Sequence, residues 1–289
     1  MSLLFTSLLI TDHTRFDNCI SSRPILRRED VFSSVYLWRN FVQQQVAWST
    51  NYAIFTNVLE DNQIYFTYIT NNQELIPQII EEVKTYCQEK ELPCQFFGIP
   101  TEDLVYFQDQ QITFDRDHSD YIYESAVLAN LTGKKFHGKR NFITRFTSTY
   151  RSEVRPYTPK DDWAILELYH TWIMQNEGDH IYSEMEQLQE AIRFRQELQL
   201  DITVLYVDEH LIGFSFIDIS HSMALTLFEK CNINFVGAYQ YINQIEAQKL
   251  VGRCPHLNRE DDWGLPSLRQ SKLSYYPALI LEKYYIVIK

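Results

Sequence analysis

The sequence predicts an α/β protein made of two similar halves, each with a mixed, mostly antiparallel sheet flanked by helices. Segments with helical periodicity alternate with short apolar runs along the whole chain. The order of helices and strands restarts at Trp163, after the crossing segment RSEVRPYTP (Arg151–Pro159). A length of 289 residues suits two domains of ordinary size. We therefore expect an N-terminal domain at 1–150 and a C-terminal domain at 151–289.

The composition supports a large core and argues against one functional class. Hydrophobic residues make up 45% of the chain and aromatic residues 15%, with only 8 glycines and 9 prolines. Such a chain is expected to be compact, with few loose linkers. The formal net charge of -12 argues against a general nucleic-acid coat protein, because phosphate binding needs a cationic surface. A local basic patch remains open.

The cysteines and the N-terminal segment predict a cytoplasmic protein. The 5 cysteines are scattered without a CxxC pair, which is typical of reduced thiols and gives no basis for a zinc site. The first residues, MSLLFTSLLITDHTRF, are apolar but lack a preceding basic segment, so no signal peptide is expected. No run reaches the ~18 apolar residues that a membrane-spanning helix needs.

Apolar periodicity predicts the elements of the first half. Helices are expected where apolar residues recur every three or four positions, and a hairpin where two apolar runs flank a polar turn. Pro93 ends the long amphipathic helix, Thr101 can cap the next one, and Ser119 or Asp120 can cap the last. The predicted elements are strand Phe5–Ile10, helix Asp12–Ile20, helix Glu29–Phe41, strands Tyr52–Leu59 and Ile64–Ile69, helix Gln73–Gln88, strand Cys94–Ile99, helix Thr101–Phe107 and helix Tyr121–Leu131.

The second half shows a similar alternation after the crossing segment. A tight turn at Asp208–His210 separates two apolar runs, which predicts adjacent antiparallel strands. A glycine follows the next strand and precedes an amphipathic helix. The predicted elements are helices Trp163–Gln175 and Ser183–Leu198, strands Ile202–Val207, Leu211–Ile217 and Met223–Lys230, helix Ala238–Val251 and the final strand Ala278–Ile288.

The segment NREDDWGLPSLRQSKLSYYP (Asn258–Pro277) combines carboxylates, a glycine turn, two cations and two tyrosines. Gly264 allows a sharp turn, because glycine alone takes left-handed dihedral angles without a Cβ penalty. Pro266 suits the first turn of a helix. Arg269 and Lys272 are three residues apart and therefore share a helix face. The segment is either part of a functional site or simply a capped helix. In the second case the acidic residues before the helix interact favourably with the positive end of its dipole.

A basic block lies inside the segment YIYESAVLANLTGKKFHGKRNFITRF (Tyr121–Phe146). It concentrates positive charge in an otherwise acidic chain. Lys135 and Lys139 share a helix face, where like charges repel unless an anion lies between them. The block consists of Lys134, Lys135, His137, Lys139 and Arg140. It is either an anion-binding surface or a solvated helix face.

A third segment, FEKCNINFVGAYQYINQ (Phe228–Gln244), places Gly237 between a strand and a helix. Free N–H groups at a helix N-terminus can bind phosphate without a cation. A plain glycine turn explains the same residue equally well. The sequence predicts a helix that begins at Gly237, and the phosphate hypothesis requires its N-terminus to face an open groove.

These three segments, together with Phe32–Arg39, resemble blocks of the phosphatidylglycerol lysyltransferase C-terminal family. Ser267 stands where the family block usually has a second glycine. The resemblance covers nearly the whole chain. It implies two tandem domains of the acyl-CoA N-acyltransferase-like fold, the Gcn5-related type, in an arrangement that resembles the Fem-type peptidyltransferases. It also implies transfer of an acyl or aminoacyl group to an amine or hydroxyl, with the active groove mainly in the second half.

The resemblance and the residue types together give a set of candidate site residues. Acyl transfer needs a base, oxyanion stabilisation and an acid for the leaving group. The candidate bases are Glu229, Glu260 and Asp261. Arg269 and Lys272 could stabilise the oxyanion or hold donor phosphates, and Tyr275 is a candidate acid. The candidate donor-binding and phosphate-binding residues are Lys135, His137, Lys139, Arg140, Asn141, Gly237, Ala238, Tyr239, Asn243 and Asn258.

The donor remains open between acyl-CoA and aminoacyl-tRNA, and both carry phosphates. The chain lacks the arginine-glutamine-glycine phosphate loop that is usual in coenzyme-A-dependent members of the fold. The acceptor remains open among small molecules, peptides and lipids, and no integral membrane segment is expected. The competing functional class is a non-catalytic module that kept the fold and binds an anion or nucleotide.

Other functional classes lack their sequence fingerprints. There is no GxSxG elbow, no Walker loop and no GxGxxG, which disfavours hydrolase, P-loop and Rossmann interpretations. Asp115, Asp117, His118 and Asp120 could suggest a metal site, but a polar turn with a helix cap explains them better, and no metal is expected.

The charges of the basic block predict how it is arranged relative to the Asn258–Pro277 segment. An acidic protein gains nothing from clustered cations unless carboxylates or an anion offset their repulsion. We therefore expect the basic block and Asn258–Pro277 to meet in one pocket. A base needs a pKa near neutrality, so one acid should lie apart from the cations. Glu229 is the expected one, because it follows Phe228 in an apolar strand.

Overall fold

The computed structural model of the protein describes residues 3–20, 25–59, 61–175, 184–220 and 223–289. Helices and strands alternate along this part of the chain, as predicted. The strands are β1 (Thr6–Ser7), β2 (Gln45–Trp48), β3 (Tyr52–Val58), β4 (Ile64–Thr70), β5 (Gln95–Pro100), β6 (Gln111–Glu124), β7 (Ser152–Pro156), β8 (Asp201–Val207), β9 (His210–Ser220), β10 (Met223–Cys231), β11 (His256–Asn258) and β12 (Leu279–Val287). The helices are α1 (His13–Asp17), α2 (Phe32–Trp38), α3 (Ile76–Lys90), α4 (Ser125–Asn130), α5 (His137–Thr149), α6 (Asp162–Gln175), α7 (Met185–Arg193), α8 (Ala238–Leu250) and α9 (Pro266–Leu273).

The chain forms two compact units whose boundaries differ from those of the predicted domains. Unit 1 contains Met1–Asp120, Asp261–Gly264 and Ile280–Lys289. Unit 2 contains Tyr121–Glu260 and Leu265–Leu279. The first boundary lies inside β6 rather than near residue 150, so α4 and α5 belong to unit 2. The division into folding domains at 1–150 and 151–289 stays a prediction.

Unit 1 has a mostly antiparallel sheet with the strand order β1-β2-β3-β4-β5-β12, in which β4 and β5 are parallel. The predicted hairpin is present as β3 and β4, paired from Tyr52 with Thr70 to Val58 with Ile64. Helix α3 buries one face because its apolar residues recur every three or four positions. Its buried residues Ile76, Ile79, Ile80, Val83 and Cys87 pack in a core with side chains of β3, β4 and β5.

Unit 2 has a second mostly antiparallel set of strands, with the order β11-β10-β9-β8-β7 after the C-terminal part of β6. Strands β10 and β11 are parallel, and the other pairs are antiparallel. Helices α5 and α8 contribute Phe146, Ala238 and Ile242 to a core with side chains of β8, β9 and β10. This packing fixes α5, which carries the basic block, relative to β10.

The predicted helix Tyr121–Leu131 is wrong in its first part. Strand β6 continues to Glu124, and α4 begins only at Ser125. Tyr121, Ile122 and Tyr123 are all buried. A strand that is covered on both faces carries a continuous apolar run, which periodicity alone cannot distinguish from a buried helix. Asp120 therefore lies within β6 and caps no helix.

Other predicted elements differ mainly at their ends. The predicted strand Phe5–Ile10 is reduced to the two residues of β1. The segment Thr101–Phe107 forms a 3-10 helix with the predicted limits. The predicted helix Ser183–Leu198 begins outside the described residues, and α7 ends at Arg193. The other predicted helices and strands lie within a few residues of their observed limits, whereas β2, the N-terminal part of β6 and β11 were not among the predicted elements.

The segment Asn258–Pro277 contains the predicted turn and helix. Gly264 has a φ angle of 70°, and a Cβ added there would lie 2.8 Å from the Asp117 carboxylate. Only glycine fits this backbone and this space. Pro266 is the first residue of α9, where its missing N–H has no helical partner to lose. The segment thus leads from β11 to a helix in unit 2 that carries Arg269 and Lys272.

Candidate functional site

Lys139 of the basic block lies against the end of the Asn258–Pro277 segment. Its Nζ donates a hydrogen bond to Ser274 Oγ at 2.6 Å. The same Nζ lies 3.9 Å from the centre of the Tyr275 ring, in the geometry of a cation–π contact. These residues are 135 positions apart in the sequence. Within unit 2 the two segments therefore meet at Lys139, through a hydroxyl and an aromatic ring rather than through the carboxylates expected to offset its charge. A single pocket shared by the two segments stays a prediction.

The environment of Lys139 changes its proton affinity. Burial and the nearby Arg259 guanidinium both disfavour the ammonium form and lower the pKa of Lys139 to about 8. A group that exchanges protons during catalysis works best when its pKa is close to the working pH. Lys139 is thus suited to move protons as well as to carry positive charge.

Arg259 is a central residue of this site that the sequence analysis did not identify. Its guanidinium donates to Glu229 Oε1 at 2.9 Å, and the two side chains are only 14% and 7% exposed. The Arg259 Cζ lies 5.4 Å from the Tyr275 ring centre and 5.9 Å from that of Tyr123. Burial works against the Arg259 charge, but the Glu229 carboxylate outweighs it and raises the pKa of Arg259. The only sequence signal was one arginine directly after a short strand.

The position of Glu229 differs from the expected one. It was expected apart from the cations, yet it pairs directly with Arg259. Its second oxygen faces Asn243 Nδ2 at 3.5 Å. The expectation failed because the apolar strand that carries Glu229 also faces the buried arginine. A carboxylate engaged in this way holds Arg259 in place and is a poor free base.

Lys272 is directed toward the backbone of the same cluster. Its Nζ donates to the Arg259 carbonyl at 2.6 Å, and its own carbonyl accepts the Tyr123 hydroxyl at 2.8 Å. The Nζ also lies 5.7 Å from the Tyr121 ring centre. These contacts fix α9 against β6 and β11 within unit 2. Lys272 therefore helps to position Arg259.

Tyr275 and Arg269 occupy different surroundings. Tyr275 is only 4% exposed, and burial raises the pKa of its hydroxyl although Arg259 opposes the rise. Arg269 lines an open depression of about 530 Å³ on the surface of unit 2. The depression is lined by Pro266, Arg269, Gln270, Leu273, Ser274 and Tyr276. We call Lys139, Ser274, Tyr275 and Arg259 the Lys139 cluster. Ser274 therefore belongs both to this cluster and to the wall of the depression.

The other members of the basic block have separate roles. Lys135 is exposed, and its Nζ lies 4.8 Å from the Tyr276 ring centre, beside the depression. Arg140 donates to the Leu131 carbonyl at 2.5 Å and to the Gly133 carbonyl at 2.8 Å. Arg140 therefore satisfies carbonyl groups that follow α4. The side chains of His137 and Asn141 contact each other on the exposed face of α5, at 3.2 Å.

The N-terminus of α8 does not face an open groove. Gly237 caps the start of α8, directly before its first residue Ala238, with a φ angle of 97°. A Cβ at this position would lie 2.3 Å from the Phe142 carbonyl oxygen, so α5 covers the glycine. The next N–H, that of Ala238, already donates to the Phe235 carbonyl at 3.0 Å. The predicted open phosphate site at Gly237 is therefore wrong.

The neighbours of this helix start are also engaged. The Tyr239 hydroxyl accepts the Trp172 Nε1 hydrogen at 2.7 Å, and desolvation raises the pKa of this partly buried tyrosine. Asn258 Oδ1 accepts the Glu260 N–H at 2.7 Å, and Glu260 has a φ angle of 54°. This asparagine therefore stabilises the backbone as it leaves β11.

Asp261 belongs to unit 1, unlike the other candidate bases. It is 1% exposed, and its Oδ2 lies 3.1 Å from Arg28 Nη1. His118, also in unit 1, has its Nδ1 3.0 Å from both oxygens of Asp115. Among the residues that the structure describes, no three His, Cys, Asp or Glu side chains are grouped as a metal would require.

Family membership follows from a comparison with known proteins. The family model described as "Phosphatidylglycerol lysyltransferase, C-terminal" matches residues 23–287. The chain belongs to this family. The match includes the basic block, β10, α8 and α9, which supply the clustered residues of unit 2. In the part of the chain that the structure describes, no helix is both long and apolar enough to cross a membrane.

Two proteins without a stated function are similar to a large part of this chain. An uncharacterized protein of Mycoplasmoides gallisepticum is 28% identical over 194 residues, which is 66% of this chain and 63% of that protein. The chain thus matches less than two thirds of the length of this relative. A conserved protein of unknown function from Bacteroides thetaiotaomicron is 27% identical, with a TM-score of 0.89, over 99% of this chain and 100% of that chain.

Two further structures show the fold. L-PGS from Bacillus licheniformis has a TM-score of 0.65 at 16% identity, over 84% of this chain and 83% of that chain. FemX has a TM-score of 0.63 at 8% identity, over 99% of this chain and 98% of that chain. The predicted fold class, a mixed, mostly antiparallel α/β acyltransferase-like fold with helices on its sheets, is confirmed.

Proposed function

We propose that the protein is an aminoacyltransferase that moves an aminoacyl group from an activated ester to an amine or hydroxyl. The family is named for the transfer of lysine. The observation that carries the proposal is the position of Lys139, whose amine has a pKa near 8 and contacts Ser274 at the edge of an open depression. An amine of this kind can exchange a proton with the reacting groups.

The surrounding residues have distinct roles in this proposal. Lys139 takes the proton of the attacking group and returns it to the leaving oxygen of the donor. Arg259 supplies fixed positive charge beside Lys139, which keeps the amine partly neutral at pH 7. Glu229 and Lys272 hold Arg259 in place through its side chain and its carbonyl. Tyr275 covers Lys139 with its ring, so water is kept from one side of the amine.

The donor in this proposal is the 3′ end of a charged tRNA. Arg269 and Tyr276 both line the depression, and Lys135 Nζ lies 4.8 Å from the centre of the Tyr276 ring. Their positive charges suit the phosphates of a nucleic-acid end, since arginine and lysine are common phosphate ligands. The closed helix start at Gly237 disfavours a coenzyme A pyrophosphate there. The acceptor is a small molecule, a peptide or a lipid headgroup, and the reaction takes place in the cytoplasm, where charged tRNA is found.

The second candidate function is a non-catalytic module that binds an anion. The observation in its favour is that Glu229, the expected base, is already paired with Arg259. Such a module would use Arg269 and Lys135 to bind phosphates without any group transfer. The two functions differ in whether Lys139 is needed for turnover.

A trapping assay tests the proposal without knowledge of the natural acceptor. Hydroxylamine is a small nucleophile that converts activated acyl groups into hydroxamates. The protein is incubated with hydroxylamine and either lysyl-tRNA or acetyl-coenzyme A, and the rate without protein is subtracted. We expect protein-dependent hydroxamate from lysyl-tRNA. Hydroxamate from acetyl-coenzyme A alone would overturn the donor assignment, and tRNA binding without hydroxamate from either donor would favour the non-catalytic module.

A further inference from the structure

A row of polar side chains lies beneath α8, on the face of the unit 2 sheet that this helix covers. Thr203 of β8 pairs with Ser215 of β9, which in turn pairs with Glu229 of β10, so the three side chains point to the same face of the sheet. At one end of the row, Lys249 Nζ of α8 donates to Thr203 Oγ1 at 2.6 Å. At the other end, Asn243 Nδ2 of the same helix lies 3.5 Å from Glu229 Oε2. Ser215 therefore lies between these two contacts and faces the helix.

The helix contributes two polar side chains to the space above this row. Asn243 and Glu246 are three positions apart and therefore share a face of α8. Each of them is 1% exposed, and Ser215 is fully buried. Lys249 Nζ, which contacts Thr203, also donates to Glu246 Oε2 at 3.2 Å. The two helix side chains thus lie toward opposite ends of the row, with Ser215 between them.

One oxygen atom of each of these three side chains has no hydrogen-bond partner among the described residues. The atoms are Ser215 Oγ, Asn243 Oδ1 and Glu246 Oε1. A buried polar atom without a partner destabilises the folded state, so native proteins rarely leave such atoms unpaired. Three of them beneath one helix indicate a ligand that all three share.

The chemistry of the three atoms selects the ligand. Asn243 Oδ1 only accepts hydrogen bonds, and so does Glu246 Oε1 in its ionised form, whereas the Ser215 hydroxyl can donate one. A water molecule matches this set, because it can donate to the two acceptors and accept from the hydroxyl. Buried waters commonly make about three such bonds. A cation is disfavoured, because Lys249 Nζ already lies 3.2 Å from Glu246 Oε2 and would repel it.

We propose that Ser215, Asn243 and Glu246 bind one buried water molecule beneath α8. The water fixes the orientation of the Asn243 amide. With Oδ1 held by the water, Nδ2 faces Glu229 Oε2, whereas a rotated amide would place two acceptor oxygens together. The water site thereby supports Glu229 in its pair with Arg259. It is independent of the proposed aminoacyl transfer and holds equally for a non-catalytic module.

Protonation of Glu246 is the alternative way to pair these atoms. Burial raises the pKa of Glu246 to about 7, although Lys249 opposes the rise. A protonated carboxyl can donate directly to Asn243 Oδ1 or to Ser215 Oγ without any water. The two alternatives differ most above about pH 8, where the carboxyl is ionised and has no hydrogen to donate.

A crystal structure of the whole protein, grown at about pH 8.5 and refined at a resolution that shows ordered waters, tests the proposal directly. We expect one density peak within about 3 Å of Ser215 Oγ, Asn243 Oδ1 and Glu246 Oε1. Absence of this peak would overturn the proposal, whether or not Glu246 then bonds directly to one of the other two side chains. This measurement needs no variant and therefore does not depend on how a variant folds.

A double-mutant cycle tests the shared water in solution. Ser215→Ala and Asn243→Leu each remove one partner of the water, and each should lower the melting temperature by about 2–4 °C. The double variant should lose less than the sum, because the second substitution then has no bound water left to disturb. Ser148→Ala, on the exposed face of α5, is the matched control and should be additive with Asn243→Leu. Strictly additive losses for Ser215→Ala and Asn243→Leu would overturn the shared water.

Discussion

Arg259 donates a hydrogen bond to Glu229 across 2.9 Å in the interior of unit 2, between the rings of Tyr123 and Tyr275. Two opposite charges with so little exposure stabilise one another only while both are present. The pair also brings the guanidinium close enough to Lys139 to lower the pKa of that lysine. The charge on Arg259 therefore links the packing of unit 2 to the proposed chemistry.

The first prediction concerns the stability of this ion pair. Arg259→Met and Glu229→Met should each lower the free energy of unfolding by about 3 kcal/mol or more, because each leaves one charge buried without its partner. The double variant should cost less than the sum of the two. Urea denaturation of all four proteins measures the coupling. Strictly additive losses would show that the two side chains do not depend on each other.

A second prediction concerns the contact between α5 and α8. Gly237→Ala should destabilise the protein by more than about 2 kcal/mol, since the new Cβ meets the Phe142 carbonyl at 2.3 Å and the φ angle of 97° disfavours any side chain. Gly133→Ala is the matched control, because Gly133 has a φ angle of 89° and nothing within 4 Å. The control should cost only about 1 kcal/mol. Equal losses in thermal unfolding would contradict the close packing.

The buried charges of unit 1 predict a pH dependence of stability. Lys283 is fully buried and lies 2.9 Å from Glu29 and 2.8 Å from Asp120. Burial opposes the Glu29 charge, but Lys283 and then Arg28 outweigh it and lower the pKa of Glu29 to about 2. Because the pKa is lower in the folded state, the contribution of Glu29 is present above its ordinary value of 4.5 and is lost as the pH falls toward 2.

Glu29→Gln tests this sign directly. The variant should be less stable than the wild type by roughly 3 kcal/mol at pH 7, and the difference should shrink as the pH falls from 5 to about 2. Glu81→Gln is the control, because Glu81 is exposed and pairs with Lys84 on the surface. It should change stability little at any pH. A difference for Glu29→Gln that grows on acidification would refute the lowered pKa.

The proposed role of Lys139 predicts a pH profile for turnover. A lysine with a lowered pKa becomes a neutral base as the pH rises toward about 8. The rate of hydroxamate formation should therefore increase about tenfold per pH unit below 7 and level off above about 8. Rates at each pH are corrected for spontaneous ester cleavage. A profile that keeps rising beyond pH 10 would indicate a lysine with an ordinary pKa and count against the assignment.

Local features of the fold could be predicted from the sequence where the residue type itself determines the backbone. Gly264 and Pro266 predict the turn and the start of α9, and Gly237 predicts the start of α8. Each of these depends on a conformational property of glycine or proline that needs no tertiary information. The hairpin of β3 and β4 could be predicted for the same reason, since its apolar runs flank a polar turn.

Features that depend on neighbours in space could not be predicted in this way. The run Tyr121–Tyr123 suits a buried helix and a buried strand equally, and only its pairing with β11 decides for the strand. Gly237 was expected to face a groove because the sequence does not show that α5 covers it. Arg259 could not be identified as a site residue from the sequence, because its place in the site depends on contacts with Glu229 and Tyr275. These residues lie 30 and 16 positions away in the sequence.

The sequence predicts the positive charge of the candidate site, but it predicts the roles of the individual site residues only in part. The excess of cations in the basic block predicts contacts with carboxylates or an anion, whereas Lys139 contacts the Ser274 hydroxyl and the Tyr275 ring. Glu229 was identified as a site residue, but its pairing with Arg259 changes its role from free base to positioning residue. The role of a carboxylate depends on which cation lies next to it. Side-chain packing in the folded protein determines which cation that is.

A comparison of two lysine variants tests whether Lys139 moves the proton during aminoacyl transfer. Lys139→Met and Lys134→Met each remove one cation from the same basic block, and Lys134 is an exposed residue outside the Lys139 cluster. The rate of hydroxamate formation from lysyl-tRNA is measured for both variants at pH 7.5. We expect a loss of about 100-fold or more for Lys139→Met and less than about threefold for Lys134→Met. Equal rates for the two variants would contradict it.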